Sequence, residues 1–586
     1  MTYQAPIRDY RFLLLEWLKL PERWQQLGGH AELDAGLVDA VLEEAGKFCS
    51  GVLSPINRSG DEEGCSISNG VVKTPKGFPD AWKQFAESGW QSLCGDPQYG
   101  GQGLPRTLHV AIEEMIYGAN TSFCLYSSLT NGATECIAAH GDEAMKAAYL
   151  PKLLSGEWTG AMCLTEPHAG TDLGLLKTKA TPNGDGSYSI SGTKIFITGG
   201  EHDLTDNIVH LVLARLPDAP AGTKGISLFL VSKFDVKTDG SLGERNAFSC
   251  GSIEHKMGIK ASSTCVMNFD GAKGYLIGKP NEGLKCMFTM MNVERLSIAV
   301  QGVGLGELAW QIAARYASER KQSRAPGSTN AADPIIVHPD VQRMLLTMRA
   351  YTEGGRALAL WMGSLLDEAH SGKDAAVKVK AEALLAFLTP VAKAFFTDIG
   401  FDVCNHGVQV LGGHGYVREW GVEQTVRDAR IAQIYEGTNG VQAMDLVGRK
   451  LIANKGETAE ELLLAIRRYA EKLKDAEWKA SLTQAASDFE LALDTLLENA
   501  DDGGRHAGAN AVHFLHLTGH LVYGWLWSQQ AALAEAAEDS DSFYQHKLLT
   551  ADFFRRQLLP RTATLRTLIV GDGHDWAEPD ASYFAV

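Results

Sequence analysis

Glu436 stands in YEGTNG (435–440), a glycine-containing break between two apolar-faced helical patterns, RDARIAQI and VQAMDLVGRKL. A carboxylate held in apolar surroundings has a raised pKa and accepts protons near neutral pH. The commoner fate of a glutamate in such a break is solvent exposure. A second carboxylate, Glu294, precedes Arg295 in the helical pattern NVERL (292–296). It reads either as a pocket acid or as half of a structural ion pair. MCLTEPHAGTD (162–172) leaves a strand-like run and enters a loop. Thr165, Thr171 and the loop amides suit a planar cofactor; the alternative is hydroxyls satisfied by local backbone. KIFITGG (194–200) sets Phe196 and Thr198 on one strand face by period two.

Two glycine clusters have different prospects. Gly412, Gly413 and Gly415 in LGGHGYV allow backbone amides to approach an anion closely. Gly302, Gly304 and Gly306 lie inside a helical pattern with no strand before them, which reads as close helix packing. Neither cluster matches the dinucleotide or phosphate-loop patterns. His513, His516 and His520 share a helix face at i, i+3 and i+7. Apolar Leu515, Val522 and Leu526 around them, with no carboxylate cluster, favour packing over a metal site.

These groups must be positioned by a large framework. The chain has 586 residues, and about 150 residues per domain gives roughly four units. Lys+Arg 54 against Asp+Glu 71 leaves a net charge of −17, which disfavours non-specific binding to nucleic acid or anionic membrane. The ten cysteines form no C-x-x-C pair, so neither a disulfide scaffold nor a cysteine-type zinc site is expected. The N-terminus lacks the apolar core of a signal peptide, and no uninterrupted apolar run reaches about 18 residues. The expectation is a soluble, cytoplasmic protein without a transmembrane segment.

The texture of the chain changes along its length, and the fold class is α+β, mostly helical. Residues 1–157 read as a helical domain interrupted by the loop DPQYGGQGLP, with Pro151 marking a break or a new start. Residues 158–281 carry short runs rich in Ile, Val, Phe and Thr between turn clusters, an antiparallel β domain or small barrel. Residues 282–455 return to long helical patterns as a bundle, interrupted by the loop SRAPGSTNAADP (323–334). Residues 456–586 form an additional C-terminal helical domain, with a break at ENADDGGRHAG (498–508).

Taken in order, YGGQGLP, MCLTEPHAGTD, KIFITGG, MNVERL with SERKQSR, QVLGGHGYVRE and IYEGTNG resemble the acyl-CoA dehydrogenase family of flavoenzymes. The C-terminal extension and the 323–334 loop resemble a longer bacterial branch of it, acting on 3-(methylthio)propanoyl-CoA or fatty acyl-CoA thioesters. The resemblance implies a noncovalent FAD, a trans-2-enoyl-CoA product, an electron-transfer flavoprotein as acceptor, a homodimer or homotetramer, and a place in fatty acid metabolism. It assigns Glu436 the α-proton, with the β-hydride passing to flavin N5. It places Leu164, Thr165 and Thr171 over the flavin, and Phe196 and Thr198 beside its ring. Arg320 and Gln322 reach a neighbouring subunit's FAD; Gln409, Gly412 and Gly413 meet its pyrophosphate or adenosine across the dimer; Thr438 also faces FAD. Glu294, Arg295, Tyr435 and Gly437 fall at the substrate pocket. Some branches carry the base at the position of Glu294, but the intact IYEGT context favours Glu436. The alternative is a stress-response branch that keeps FAD, binds DNA and has little dehydrogenase activity. The acidic balance argues against it, and FFRRQLLPRTATLR (553–566) is the one short basic cluster to test.

Overall fold

The computed structural model describes residues 2–29, 32–237, 239–500, 504–537, 541–571 and 580–585. Helix α1 (Arg106–His140) begins where the loop DPQYGGQGLP ends. It is broken once, at Asn120, whose φ of −160° and ψ of 91° leave the helical region. The Asn120 side chain accepts from the Phe123 amide at 3.1 Å and so restarts the helix. Pro151 does not break the chain. It sits in the last turn of the helix Glu143–Leu154, where its missing N–H costs one bond and the Ser155 amide closes the end.

The central sheet has seven strands: β1 (Trp158–Cys163), β2 (Lys179–Pro182), β3 (Tyr188–Thr198), β4 (Asn207–Ala214), β5 (Ser227–Ser232), β6 (Phe248–Ile253) and β7 (Thr264–Ile277). Their order is β1-β4-β5-β7-β3-β2, with β6 also pairing β7. The sheet is not wholly antiparallel as the sequence suggested. β1 and β4 run parallel, Trp158 opposite Asn207 through Cys163 opposite Val212. Both are buried nearly throughout, as expected for a parallel pair covered on its two faces. The sheet meets α1 through Gly160, whose amide donates to Thr130 Oγ1 at 3.1 Å. A Cβ there would lie 2.4 Å from the Ala133 Cβ, so only glycine permits this approach.

The bundle consists of α1 with α2 (Gly283–Glu319), α3 (Pro339–Ser371) and α4 (Ala375–Leu411). The three α2 glycines set its packing distances. A Cβ at Gly302 would lie 2.6 Å from the Phe396 carbonyl of α4, and one at Gly304 2.7 Å from the Glu114 carbonyl of α1. Two short helices follow, α5 (Val422–Arg430) and α6 (Asn439–Met444). Among the described residues one segment, Ala375–Tyr416, is long and apolar enough to cross a membrane; 67% of its apolar window is buried inside the protein. That is the burial of a core helix.

The C-terminal helices α7 (Glu457–Lys472), α8 (Ala476–Glu498), α9 (Arg505–Glu535), α10 (Ser542–Phe553) and α11 (Arg561–Val570) share one apolar core with the bundle. Gly519 of α9 faces Phe395 of α4, and Gly354 of α3 faces Tyr523 of α9. A buried charge cluster ties the chain's ends to its centre. Arg356 of α3 pairs with Asp9 at 2.6 Å and with Glu114 and Glu307 at 2.7 Å, while Lys547 of α10 pairs with Asp9 and Glu353.

Candidate active site

The YEGTNG turn adopts a left-handed backbone at two successive residues, Glu436 at φ 56° and Gly437 at φ 84°. A non-glycine residue there costs on the order of 1–3 kcal/mol and persists only where its surroundings hold it. Here they do. Lys393 Nζ of α4 donates to the Gly437 carbonyl at 2.7 Å, and Gln442 Nε2 of α6 donates to the Glu436 carbonyl at 3.4 Å. Thr438 caps α6 by accepting from the Val441 amide at 3.3 Å. The Tyr435 hydroxyl donates to Gln301 Oε1 of α2. With its carbonyls turned to these donors, the Glu436 N–H has no acceptor among the described residues.

Glu436 and a second acid, Glu294, meet at this turn. Burial pushes the Glu436 carboxyl up to about 7, against the opposing pull of Arg295 and Lys393. Glu294 is 1% exposed, with Oε1 lacking any hydrogen-bond partner and Oε2 3.4 Å from the Ser128 hydroxyl. Burial, then the charges of Glu436 and Glu113, raise it well above the ordinary carboxylate range, which favours its neutral form. Gly132 of α1 lies against it, since a Cβ there would fall 2.7 Å from Glu294 Oε1. Among the described residues Glu294 forms no ion pair: the Arg295 guanidinium approaches Asp445, at 3.9 Å, rather than Glu294.

The same stretch of α1 therefore touches Glu294 through Gly132 and the sheet through Thr130 and Ala133. β1 ends at Cys163, and Leu164 and Thr165 follow directly after it. The Thr165 carbonyl accepts from the Ile195 amide at 2.9 Å, joining this loop to β3 beside Phe196. Phe196 has φ 58° in a β-bulge, where Ile195 and Phe196 together oppose Val266. The bulge breaks simple period two, yet Phe196 and Thr198 both stay outside buried Ile197. Phe196 is 60% exposed, an unusual state for a phenyl ring on a strand. Among the described residues nothing bonds the hydroxyls of Thr165, Thr171 or Thr198, so local satisfaction does not account for them. An exposed ring beside several free hydroxyls and a backbone loop fits a planar, polar-edged cofactor such as a flavin.

Two residues that sequence reasoning passed over build this platform. Lys194 is fully buried, its Nζ 2.9 Å from both the Leu164 carbonyl and Glu166 Oε1. Glu166 also accepts from the amides of Lys177 and Thr178 and from the Thr178 hydroxyl. Burial pushes the Glu166 carboxyl up, but the Lys194 ammonium and these hydrogen bonds outweigh it and bring it to about 2. The available signal was a charged residue at an inward strand position between Ile190 and Ile197.

The remaining predicted residues form a second, exposed group where α2 and α4 end. Arg320, Gln322, Gln409, Gly412 and Gly413 are all exposed. Tyr316 links the two helix ends through its hydroxyl, 2.9 Å from His414 Nδ1. Nothing lies within 4 Å of a Cβ at Gly412 or Gly413, and neighbouring Tyr416 is 87% exposed. The three α9 histidines do not converge. His516 binds Asp398 at 2.9 Å, while buried His520 meets the Tyr351 hydroxyl at 3.2 Å. Among the described residues no group of three candidate metal ligands assembles.

Family models match nearly the whole chain: acyl-CoA dehydrogenase N-terminal domain at 38–157, middle domain at 161–272, C-terminal domain at 281–452, and acetyl-CoA dehydrogenase C-terminal-like at 457–578. The chain belongs to the acyl-CoA dehydrogenase family and is an FAD-dependent oxidoreductase of acyl-CoA thioesters. It is 45% identical to the 3-methylmercaptopropionyl-CoA dehydrogenase of Ruegeria pomeroyi, over 98% of this chain and 99% of that one. It is 34% identical to a butyryl-CoA dehydrogenase of Syntrophomonas wolfei, over 97% of each. In fold it is similar to an acyl-CoA dehydrogenase complexed with FAD from Bacillus anthracis, with TM-score 0.76 and 22% identity over 95% of this chain and 91% of that chain.

Proposed function

We propose that Glu436 takes the α-proton of the acyl-CoA thioester, while the β-hydride would go to flavin N5. The observation that carries this is the Glu436 turn itself. It is a carboxyl lifted to about 7, held in a left-handed turn between two cations, with its own N–H unengaged. An acid titrating near neutral pH matches a base that must be ionised before reaction and protonated after it. The free N–H of Glu436 is a donor for the thioester oxygen, where enolate charge develops as the α-proton leaves. Lys393 and Gln442 fix that donor by holding the two carbonyls away from it. Bound FAD supplies the hydride acceptor, at N5. Leu164, Thr165, Thr171, Phe196, Thr198 and Thr438 would hold the flavin, and the Lys194–Glu166 pair fixes the loop that carries Leu164 and Thr165.

Glu294, with Arg295, Tyr435 and Gly437, borders the acyl end of the site. The division into units 1–157, 158–281, 282–455 and 456–586 gives each a part: α1 backs the acyl pocket, the sheet carries the flavin, the bundle carries the base, and the last unit braces the bundle. The exposed group at Arg320, Gln322, Gln409, Gly412 and Gly413 completes the FAD site of a second copy, so the working unit is a homodimer or homotetramer. An electron-transfer flavoprotein takes the electrons onward, in the cytoplasm. The acyl group is 3-(methylthio)propanoyl, a reading supported by the relative with 45% identity along its full length.

The DNA-binding alternative finds three of the four arginines of its basic segment turned to carboxylates. Arg555 and Arg556 both pair with Glu477 and Asp552, and Arg566 lies 3.4 Å from Asp488. Anaerobic mixing of the FAD-loaded enzyme with 3-(methylthio)propanoyl-, butanoyl-, octanoyl- and palmitoyl-CoA tests the proposal. Flavin bleaching is expected with the methylthio thioester fastest. Faster bleaching by a fatty acyl-CoA overturns the substrate, and bleaching by none of them overturns the function.

A further inference from the structure

His516 belongs to α9, in the region matched by the C-terminal-like model at 457–578. Its Nε2–H donates to Asp398 Oδ2 of α4 at 2.9 Å. The other oxygen of Asp398 accepts from Gln433 Nε2 at 2.8 Å and from Asn439 Nδ2 at 2.7 Å. Those two residues flank Glu436, one before the turn and one after it. Asn439 Oδ1 accepts from Lys393 Nζ at 2.8 Å, and Lys393 holds the Gly437 carbonyl. An unbroken series of hydrogen bonds thus runs from the C-terminal helices to the peptide next to Glu436.

The packing leaves His516 little freedom. Its ring meets Phe395 edge-on at 5.4 Å, and Gly519, one turn on, lets α9 close on that ring, where a Cβ would fall 2.5 Å from Phe395 Cγ. Asp398 in turn has a donor on each flank of the turn and a third from α9. A strained turn of two left-handed residues needs such bracing, and misplacing a reacting group by about 1 Å costs up to about a hundredfold in rate.

We infer that His516 is a positioning residue: through Asp398 it braces the 433–439 turn and so sets the placement of Glu436, giving the C-terminal unit a part in proton abstraction. This rests on the reading of Glu436 as the base. The test is the limiting rate of flavin reduction and the acyl-CoA Kd. Both are measured on FAD-loaded enzyme with whichever of 3-(methylthio)propanoyl-CoA and butanoyl-CoA the wild type reduces faster. His516→Ala is expected to slow reduction roughly 10- to 100-fold with Kd unchanged. His516→Gln, which keeps an N–H for Asp398, restores most of the rate. Asp398→Asn, equal in size, slows reduction as His516→Ala does and serves if the alanine variant does not fold. A wild-type rate in either slow variant, a loss confined to Kd, or equal losses in the alanine and glutamine variants overturns the inference. Glu436→Gln is measured alongside: wild-type reduction there defeats the base reading itself, whereas an inactive Glu436→Gln beside an unimpaired His516→Ala defeats this inference alone.

Discussion

Replacing Lys393 by Met removes one of the two cations that favour the ionised form of Glu436. Glu436 sits at about 7, so about half of it is ionised at pH 7. Burial pulls Lys393 itself down to about 7, although Glu436 and Asp398 favour its charge. The charge lost in the variant is therefore one that the wild type develops fully only when the pH is below about 7. Taking the effect as about one pK unit, or about 1.4 kcal/mol, the Glu436 midpoint rises to about 8. At pH 7 the ionised fraction then falls from about one half to about one tenth, a fivefold loss of rate that vanishes above about pH 9. The assay is the limiting rate of anaerobic flavin reduction across pH 6–9.5 for wild type, Lys393→Met and Lys393→Arg. The arginine variant keeps the charge, and its midpoint does not rise. An unmoved or lowered midpoint in Lys393→Met refutes the reasoning. So does a fall equal at every pH, which reports only the lost hydrogen bonds to Gly437 and Asn439.

Two further perturbations follow from buried charges. Arg356→Leu leaves Asp9, Glu114 and Glu307 crowded without their shared cation, and is expected to destabilise the fold by about 3–5 kcal/mol; urea unfolding checks this, and a midpoint equal to wild type contradicts it. Glu166→Gln deprives Lys194 of its counter-charge beneath the flavin loop and is expected to weaken FAD binding at least tenfold, read by fluorescence of released flavin. Because the folded carboxyl of Glu166 is depressed to about 2 from an ordinary 4.5, its support is full above about pH 4.5 and is lost as pH falls towards 2. FAD release from wild type that tracks acidification over that window, and is absent from the variant's already weakened binding, is the matching observation.

The order of helical, strand and helical textures was legible because periodicity reports burial, and the sheet and bundle appear where period two and period 3.6 predict them. The parallel β1–β4 pair was not, since strand direction depends on pairing partners 49 residues apart (Trp158 with Asn207) that local pattern does not encode. Pro151 misled for a related reason: a proline in a last helical turn costs a single bond that tertiary packing outweighs. At the candidate site, Glu436 and Glu294 were visible as residue types, and only the fold separates them. Glu294 is sealed against Gly132 without a full set of partners, whereas Glu436 lies between Arg295 and Lys393. Lys393 and Asp398 escaped notice because, within a long apolar helix, each reads as an ordinary charged position. The turn they brace is 35 or more residues further along the chain.

The most direct measurement compares Glu436→Gln with Glu294→Gln in anaerobic flavin reduction by 3-(methylthio)propanoyl-CoA. Glu436→Gln is expected to lose at least about 10⁴-fold in rate while retaining bound FAD. Glu294→Gln, an amide of the same size replacing a buried acid whose neutral form is favoured, is expected to remain within about threefold of wild type. Full reduction by Glu436→Gln, or its loss in Glu294→Gln instead, contradicts the account.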